Sequence, residues 1–231
     1  MSQKKILIAL WISCIIGSLA IIPYIRYLNV IDTSSSITNL LLLTAIQASI
    51  FYGIILWLVS LILPRTNLLP FITTDPINRI LFPGILAGTL VGLTIFILNK
   101  TIFYNSTLST FHTPFWVGIL ASIYGAINEE VLLRLFLFTF IYFIICKIFK
   151  KSDQNSIRLW TSNALVALMF GLGHLPAAFR IAQPSSYEIS RILILNGIAS
   201  IAFGWLYWSK GLWTAILAHF IADLVLHVFL K

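Results

Sequence analysis

Residues 114–149 read PFWVGILASIYGAINEEVLLRLFLFTFIYFIICKIF. The run is apolar apart from Asn128, Glu129, Glu130, Arg134 and Lys147. As one helix it spans about 54 Å at 1.5 Å per residue, against a hydrocarbon core of about 30 Å. It is therefore either one long membrane helix that projects from the bilayer or a hairpin turning near Glu129. Composition sets the context. The chain has 231 residues, 59% hydrophobic and 10% charged. Soluble domains carry about 45–50% apolar and about 25% charged residues. A water-soluble globule and a disordered tail are both excluded. The net charge of +8 does not point to nucleic acid, because the Lys and Arg are few and scattered beside apolar runs. The expectation is an all-α integral membrane protein of about seven transmembrane helices, with the lipid bilayer as its solvent.

Working outward, polar punctuation divides the rest of the chain. Spans are expected at 6–25, 37–63, 80–99, 114–149, 159–175, 189–208 and 212–230. Pro64, Asn67, Pro70, Asp75 and Pro76 mark one loop, and Lys150, Lys151, Asp153 and Arg158 another. The first span follows Lys4 and Lys5 and reads as an uncleaved signal anchor. Cys14 and Cys146 lie in apolar runs and suggest neither a disulfide nor a zinc knuckle.

Positive charges arbitrate the 114–149 question. With one span there and the N-terminus inside, Lys4, Lys5, Arg65, Arg79, Lys147, Lys150, Lys151, Arg158 and Lys210 fall inside. Arg26, Lys100, Arg180, Arg191 and Lys231 fall outside. A hairpin makes the two sides equal, so one long helix and a cytoplasmic N-terminus in a multi-pass cell-membrane protein are expected. Trp205, Tyr207, Trp208 and Trp213 around Lys210-Gly211 read as an interfacial aromatic belt at a tight turn.

Of the seven acidic residues, Asp32, Asp75, Asp153 and Glu188 fall in loops. Glu129, Glu130 and Asp223 fall inside spans, together with Arg134, His174 and His219. Each ionisable group at the bilayer centre costs roughly 2.5–3.5 kcal/mol on insertion scales, so the cluster marks an intramembrane polar site. Glu130 and Arg134 share a helix face four residues apart and read as an ion pair, whether for function or for structure alone. Glu129 is turned about 100° away and is left to face a cavity. A single histidine near a span end, such as His174, is more often a satisfied structural group; the neighbouring ionisable groups change that weighting. His219 and Asp223 again share a face, where Asp223 orients His219 or both hold a metal. His227 continues the stripe but lies near the chain end and reads as interfacial.

These residues resemble a known family. Glu129-Glu130-x-x-x-Arg134, Phe170-x-x-x-His174 and His219-x-x-x-Asp223 match in order and spacing the three motifs of the CPBP (CAAX protease and bacteriocin-processing, or Abi) intramembrane proteases. The resemblance covers roughly residues 114–227. It divides the chain into 1–113, transmembrane helices without a family signal, and 114–231, a catalytic transmembrane core. It implies a CAAX prenyl protease-like endopeptidase acting on a membrane-associated peptide or membrane protein. By that analogy Glu129 is the general base, working with His174 on water. Glu130 and Arg134 support the base, Phe170 packs beside His174, and His219 and Asp223 stabilise the oxyanion.

Two departures stand out. The family often has Asn at the position of Asp223, and an ionised Asp cannot donate to an oxyanion. Leu133 and Leu135 flank Arg134 where an aromatic residue and Gly are common. The resemblance includes members described as metalloproteases, so Glu129, His174 and His219 are also candidate ligands for zinc. His-Glu-x-x-His is absent, as are Gly-x-Ser-x-Gly and Gly-x-Gly-Asp. The alternatives are a non-proteolytic bacteriocin-immunity or scaffold protein, and a small proton-coupled transporter. Without an inverted repeat the transporter is the weaker of these.

Overall fold

The computed structural model describes residues 3–31, 36–69, 77–107, 113–149 and 155–230. The loop residues Asp32, Pro70, Asp75, Pro76, Lys150, Lys151 and Asp153, and the terminal Lys231, lie outside the described residues.

Inside hydrocarbon a backbone must satisfy its own N–H and C=O groups, so apolar runs of this length become helices. Seven are long and apolar enough to cross a membrane. They are α1 (Gln3–Tyr27), α2 (Ile37–Arg65), α3 (Ile77–Thr101), α4 (Phe115–Ile148), α5 (Ser156–Ile181), α6 (Ser186–Lys210) and α7 (Leu212–Phe229). All seven expected spans are present. The largest shift is in α5, expected to stop at 175 but continuing through Pro176 to Ile181. Its start and that of α6 are set by side-chain caps. Asn155 Oδ1 accepts from the Ile157 N–H at 2.8 Å, and Ser185 Oγ accepts from the Glu188 N–H at 3.3 Å.

The 114–149 question resolves as one helix of 34 residues. It is not a uniform α-helix. It widens into π turns over Gly125–Glu129 and again over Val131–Phe138. Such bulges gather at functional positions because they re-aim side chains that an α turn would hide.

Helix α7 packs against α3, α4 and α6, while α1 packs against α2 and α4. Close approach to α7 comes from a glycine ladder on α3. A Cβ on Gly84 would meet Leu217, one on Gly88 the Ala218 carbonyl, and one on Gly92 the Val225 side chain. Without a hydrophobic driving force between helices in lipid, small residues let backbones touch. Buried amides join other pairs. Asn128 Nδ2 on α4 donates to the Cys14 carbonyl at 2.7 Å and to Ser18 Oγ at 2.8 Å on α1. Asn163 Nδ2 on α5 donates to the Ile201 carbonyl on α6 at 2.9 Å.

The aromatic belt is corrected in part. Trp205 and Trp213 are exposed as expected. Tyr207 is buried, with its hydroxyl 2.8 Å from Thr139 Oγ1, and Trp208 stacks on Phe138. They point inward because α6 presents one face to α4. Gly211 makes the turn into α7 at φ 93°, a region that favours glycine.

Candidate active site

The two adjacent glutamates of α4 have different surroundings. Glu130 is fully buried, and its Oε1 accepts from His219 Nδ1 at 2.7 Å while sitting 3.2 Å from Arg134 Nη1. The sequence showed the Glu130–Arg134 pair but not the bond to His219, which joins α4 to α7 across 89 residues. Arg134 is itself fully buried. Its Nη2 donates to the carbonyl and hydroxyl of Ser200 on α6, each at 3.1 Å, and its guanidinium lies 5.5 Å from the Phe170 ring centroid and 5.7 Å from that of Phe203. One carboxylate and one guanidinium therefore tie three helices together at the level of the site.

Glu129 lies beside this anchor and lines a cavity of about 810 Å³. Its Oε2 is 3.7 Å from His219 Nε2, and Asp223 Oδ2 is also 3.7 Å from that nitrogen. These separations are beyond a direct hydrogen bond and leave Nε2 at the cavity wall between two carboxylates. Phe203 stacks on the His219 ring at 4.7 Å, fixing its plane. His174 lines the same cavity. Its Nδ1 is 2.9 Å from the Phe170 carbonyl and its ring meets the Phe170 ring edge-on at 4.6 Å. With Nδ1 committed to its own helix, His174 has Nε2 for the cavity. The Phe170 ring also meets the His219 ring edge-on, at 6.1 Å, so one aromatic ring contacts both imidazoles. The cavity thus receives all of Glu129, His174, His219 and Asp223 and also Phe170, whereas Glu130 and Arg134 stand behind its wall.

Three contributors, Tyr24, Tyr124 and Gly125, were not singled out from the sequence. Tyr24 of α1 and Tyr124 of α4 line the cavity, and so does His227, whose ring meets Tyr24 edge-on at 6.1 Å. His227 lies in the π turn that ends α7, Val225–Phe229. Gly125 is the third of the residues that the sequence did not mark. A Cβ there would stand 2.6 Å from Asp223 Oδ2 and 3.2 Å from His219 Nε2. Gly125→Ala should displace both side chains and lower hydrolysis at least about tenfold while keeping α4 helical. Gly197→Ala, where an added Cβ meets nothing within 4 Å, is the control. Equal activities of the two variants would disprove the crowding argument.

The candidate zinc ligands do not form a set. Among the described residues no group of three or more His, Cys, Asp and Glu is arranged to hold a metal ion. His219 gives Nδ1 to Glu130, and His174 gives Nδ1 to Phe170.

A bundle of seven helices long and apolar enough to cross a membrane, with carboxylates and imidazoles converging on an internal cavity, defines a membrane protein with an intramembrane polar site. A family model described as type II CAAX prenyl endopeptidase Rce1-like matches residues 111–225, and the chain belongs to that family. It is accordingly a multi-pass membrane endopeptidase, a hydrolase of peptide bonds. No curated protein and no solved structure matches the chain. The matched segment holds every residue of the three motifs; it begins well after Tyr24 and ends short of His227.

Proposed function

We propose that the chain cuts a membrane-associated peptide or membrane protein by a glutamate-dependent mechanism. The observation that carries this reading is the split between two neighbouring carboxylates, one locked to Arg134 and His219 and the other facing the cavity. Glu129 is the general base. It takes a proton from a water held between its carboxylate and His174, and the hydroxide oxygen forms a bond to the scissile carbonyl carbon. The carbonyl electrons move onto oxygen. His219, its ring fixed by Glu130 and Phe203, is the donor for that oxyanion through Nε2–H when it is an imidazolium. Glu129 then delivers its proton to the leaving nitrogen as the C–N bond breaks. A low local dielectric strengthens each of these interactions relative to water. No step passes through a metal; metal content and activity before and after chelation report separately on zinc.

Asp223 serves here by orienting Nε2 of His219. An amide of the same shape can do this and also donate. Asp223→Asn should keep hydrolysis within about tenfold, whereas Asp223→Ala should lose about 100-fold. Comparable loss in both variants would show that the charge, not the shape, is needed.

The same reading places the N-terminus in the cytoplasm, following the balance of Lys and Arg, nine inside against five outside. The cavity is lined from the C-terminal ends of α1, α3, α5 and α7 and from the N-terminal halves of α4 and α6, so it belongs to the opposite half of the bundle. Accessibility of a cysteine introduced at Tyr104 to an impermeant thiol reagent on intact cells tests the orientation; protection there reverses it.

The deciding experiment is cleavage of a membrane-embedded reporter peptide by purified protein carrying Glu129→Gln or His174→Ala. In a protection assay, immunity that survives both substitutions would replace this reading with a non-proteolytic one.

A further inference from the structure

We infer that Tyr24 and His227 form a positioning pair that holds the Asp223 carboxylate away from His219 Nε2, so that this N–H stays open for the oxyanion. The inference rests on the hydrolase reading above and adds two residues to it. Neither belongs to the family-matched segment 111–225.

The need for such a pair follows from the two ring nitrogens of His219. Nδ1 is taken up by Glu130 Oε1 at 2.7 Å. Nε2 stands 3.7 Å from Asp223 Oδ2 and 3.7 Å from Glu129 Oε2. A charge-assisted bond between nitrogen and a carboxylate is about 2.7–2.9 Å long. Asp223 therefore needs to move by only about 1 Å to occupy the donor, and a low local dielectric favours that move. Nε2 carries a single N–H, so a donor bound to Asp223 has no proton left for an oxyanion.

Tyr24 and His227 supply the opposing pull. Asp223 is within electrostatic reach of His219 and His227 on α7 and of Glu129 and Glu130 on α4. Tyr24 is within reach of Asp223 and Glu129. Among these described groups Glu129 and Glu130 repel the carboxylate, and His219 draws it toward Nε2. His219 lies one turn before Asp223 and His227 one turn after it, so the two imidazoles pull in opposite directions along α7. The phenol hydroxyl of Tyr24 is a further donor for the same carboxylate, and it comes from α1.

Both members are fixed by packing. The rings of Tyr24 and His227 meet edge-on with centroids 6.1 Å apart. Helix α1 is interrupted at Ile21 and resumes over Ile22–Tyr27 with Pro23 in its first turn, so Tyr24 sits on a short terminal piece packed against the start of α4. Gly118 of α4 lets the His227 backbone come close: an added Cβ would stand 2.8 Å from the His227 carbonyl oxygen and 3.2 Å from its Cβ. At α spacing the stripe from His219 to His227 drifts by about 80° over eight residues. The π turn Val225–Phe229 takes more residues per turn, which brings His227 back toward the stripe and the cavity wall.

Tyr24→Phe keeps the ring contact with His227 and removes only the hydroxyl. Two readings are taken on full-length protein in phosphatidylcholine nanodiscs. The first is the nitrogen NMR signal of His219 Nε2, assigned by its loss in His219→Gln. Tyr24→Phe and His227→Gln should each move that signal to the position of a hydrogen-bonded nitrogen. Neither should move it when Asp223→Asn is also present, because no charge is left to hold. The second reading is hydrolysis of the reporter peptide. Each variant should lower kcat about tenfold and leave KM within about twofold. In the Asp223→Asn background the same substitutions should cost less than about twofold. Losses of equal size in the two backgrounds overturn the pair, because residues that only line the cavity or support the fold do not act through Asp223. A raised KM at constant kcat also overturns it and assigns Tyr24 to substrate binding. So does an Nε2 signal that stays in place in both variants. Because the NMR reading needs no chemistry, a signal that moves in a protein that cuts no peptide removes the hydrolase reading and leaves the pair standing.

Discussion

Glu129→Gln should lower peptide hydrolysis by at least about 1000-fold and leave the fold intact. General-base catalysis contributes about 10²–10⁴-fold, and a factor of 1000 corresponds to about 4 kcal/mol of barrier. Gln keeps the shape and the hydrogen-bonding reach of Glu but cannot take a proton from water at neutral pH. Glu129 faces a cavity and makes no bond closer than the 3.7 Å approach to His219, so its replacement leaves no buried partner stranded. Purified variant and wild type should therefore elute alike and melt within a few degrees of each other. Residual activity within tenfold of wild type would show that Glu129 is not the base. His174→Ala should show a smaller loss, because the carboxylate alone can still accept the proton.

The second large effect is on stability. Arg134→Met removes the positive member of a fully buried pair while filling its volume. Breaking such a pair costs about 3–5 kcal/mol, because the other charge is left uncompensated in low dielectric. Two hydrogen bonds to Ser200 disappear with it, which frees α6 from α4. Thermal unfolding in detergent should show a large drop in midpoint and poor yield. Adding Glu130→Gln removes the stranded charge, so the double variant should recover much of the stability. It should not recover activity, since the carboxylate that holds His219 Nδ1 is gone. A single variant within about 1 kcal/mol of wild type would show that the pair contributes nothing net.

The legible part of this molecule was what lipid forces on a sequence. Seven apolar runs of span length, interrupted by Pro, Asn and charge, have one low-energy form in hydrocarbon, and the helices lie where the runs do. Ends were less legible, as in α5, because Asn155 caps a helix that hydropathy alone starts later. The placement of Glu129, Glu130, Arg134, His174, His219 and Asp223 within spans was also readable, since ionisable groups are too costly there to be incidental. The helical angle between Glu129 and Glu130 already separated a cavity-facing carboxylate from a paired one.

What periodicity cannot give is the partner on another helix. Four-residue spacing suggested Asp223 as the group that holds His219, yet the short bond goes to Glu130, and Asp223 stands at 3.7 Å. Tyr24 and His227 entered the cavity wall through packing of α1 and a π turn in α7, and neither leaves a mark on composition. The glycine ladder of α3 was visible as letters, but its meaning needed Leu217, Ala218 and Val225 opposite it. The sequence by itself determined a membrane helix bundle with an intramembrane set of carboxylates and histidines, because solvent acts on each residue separately. Only the tertiary structure decided which carboxylate is anchored, which is free and what lines the cavity. Those depend on distances between helices, and interactions of a few ångströms are set by packing rather than by spacing along the chain.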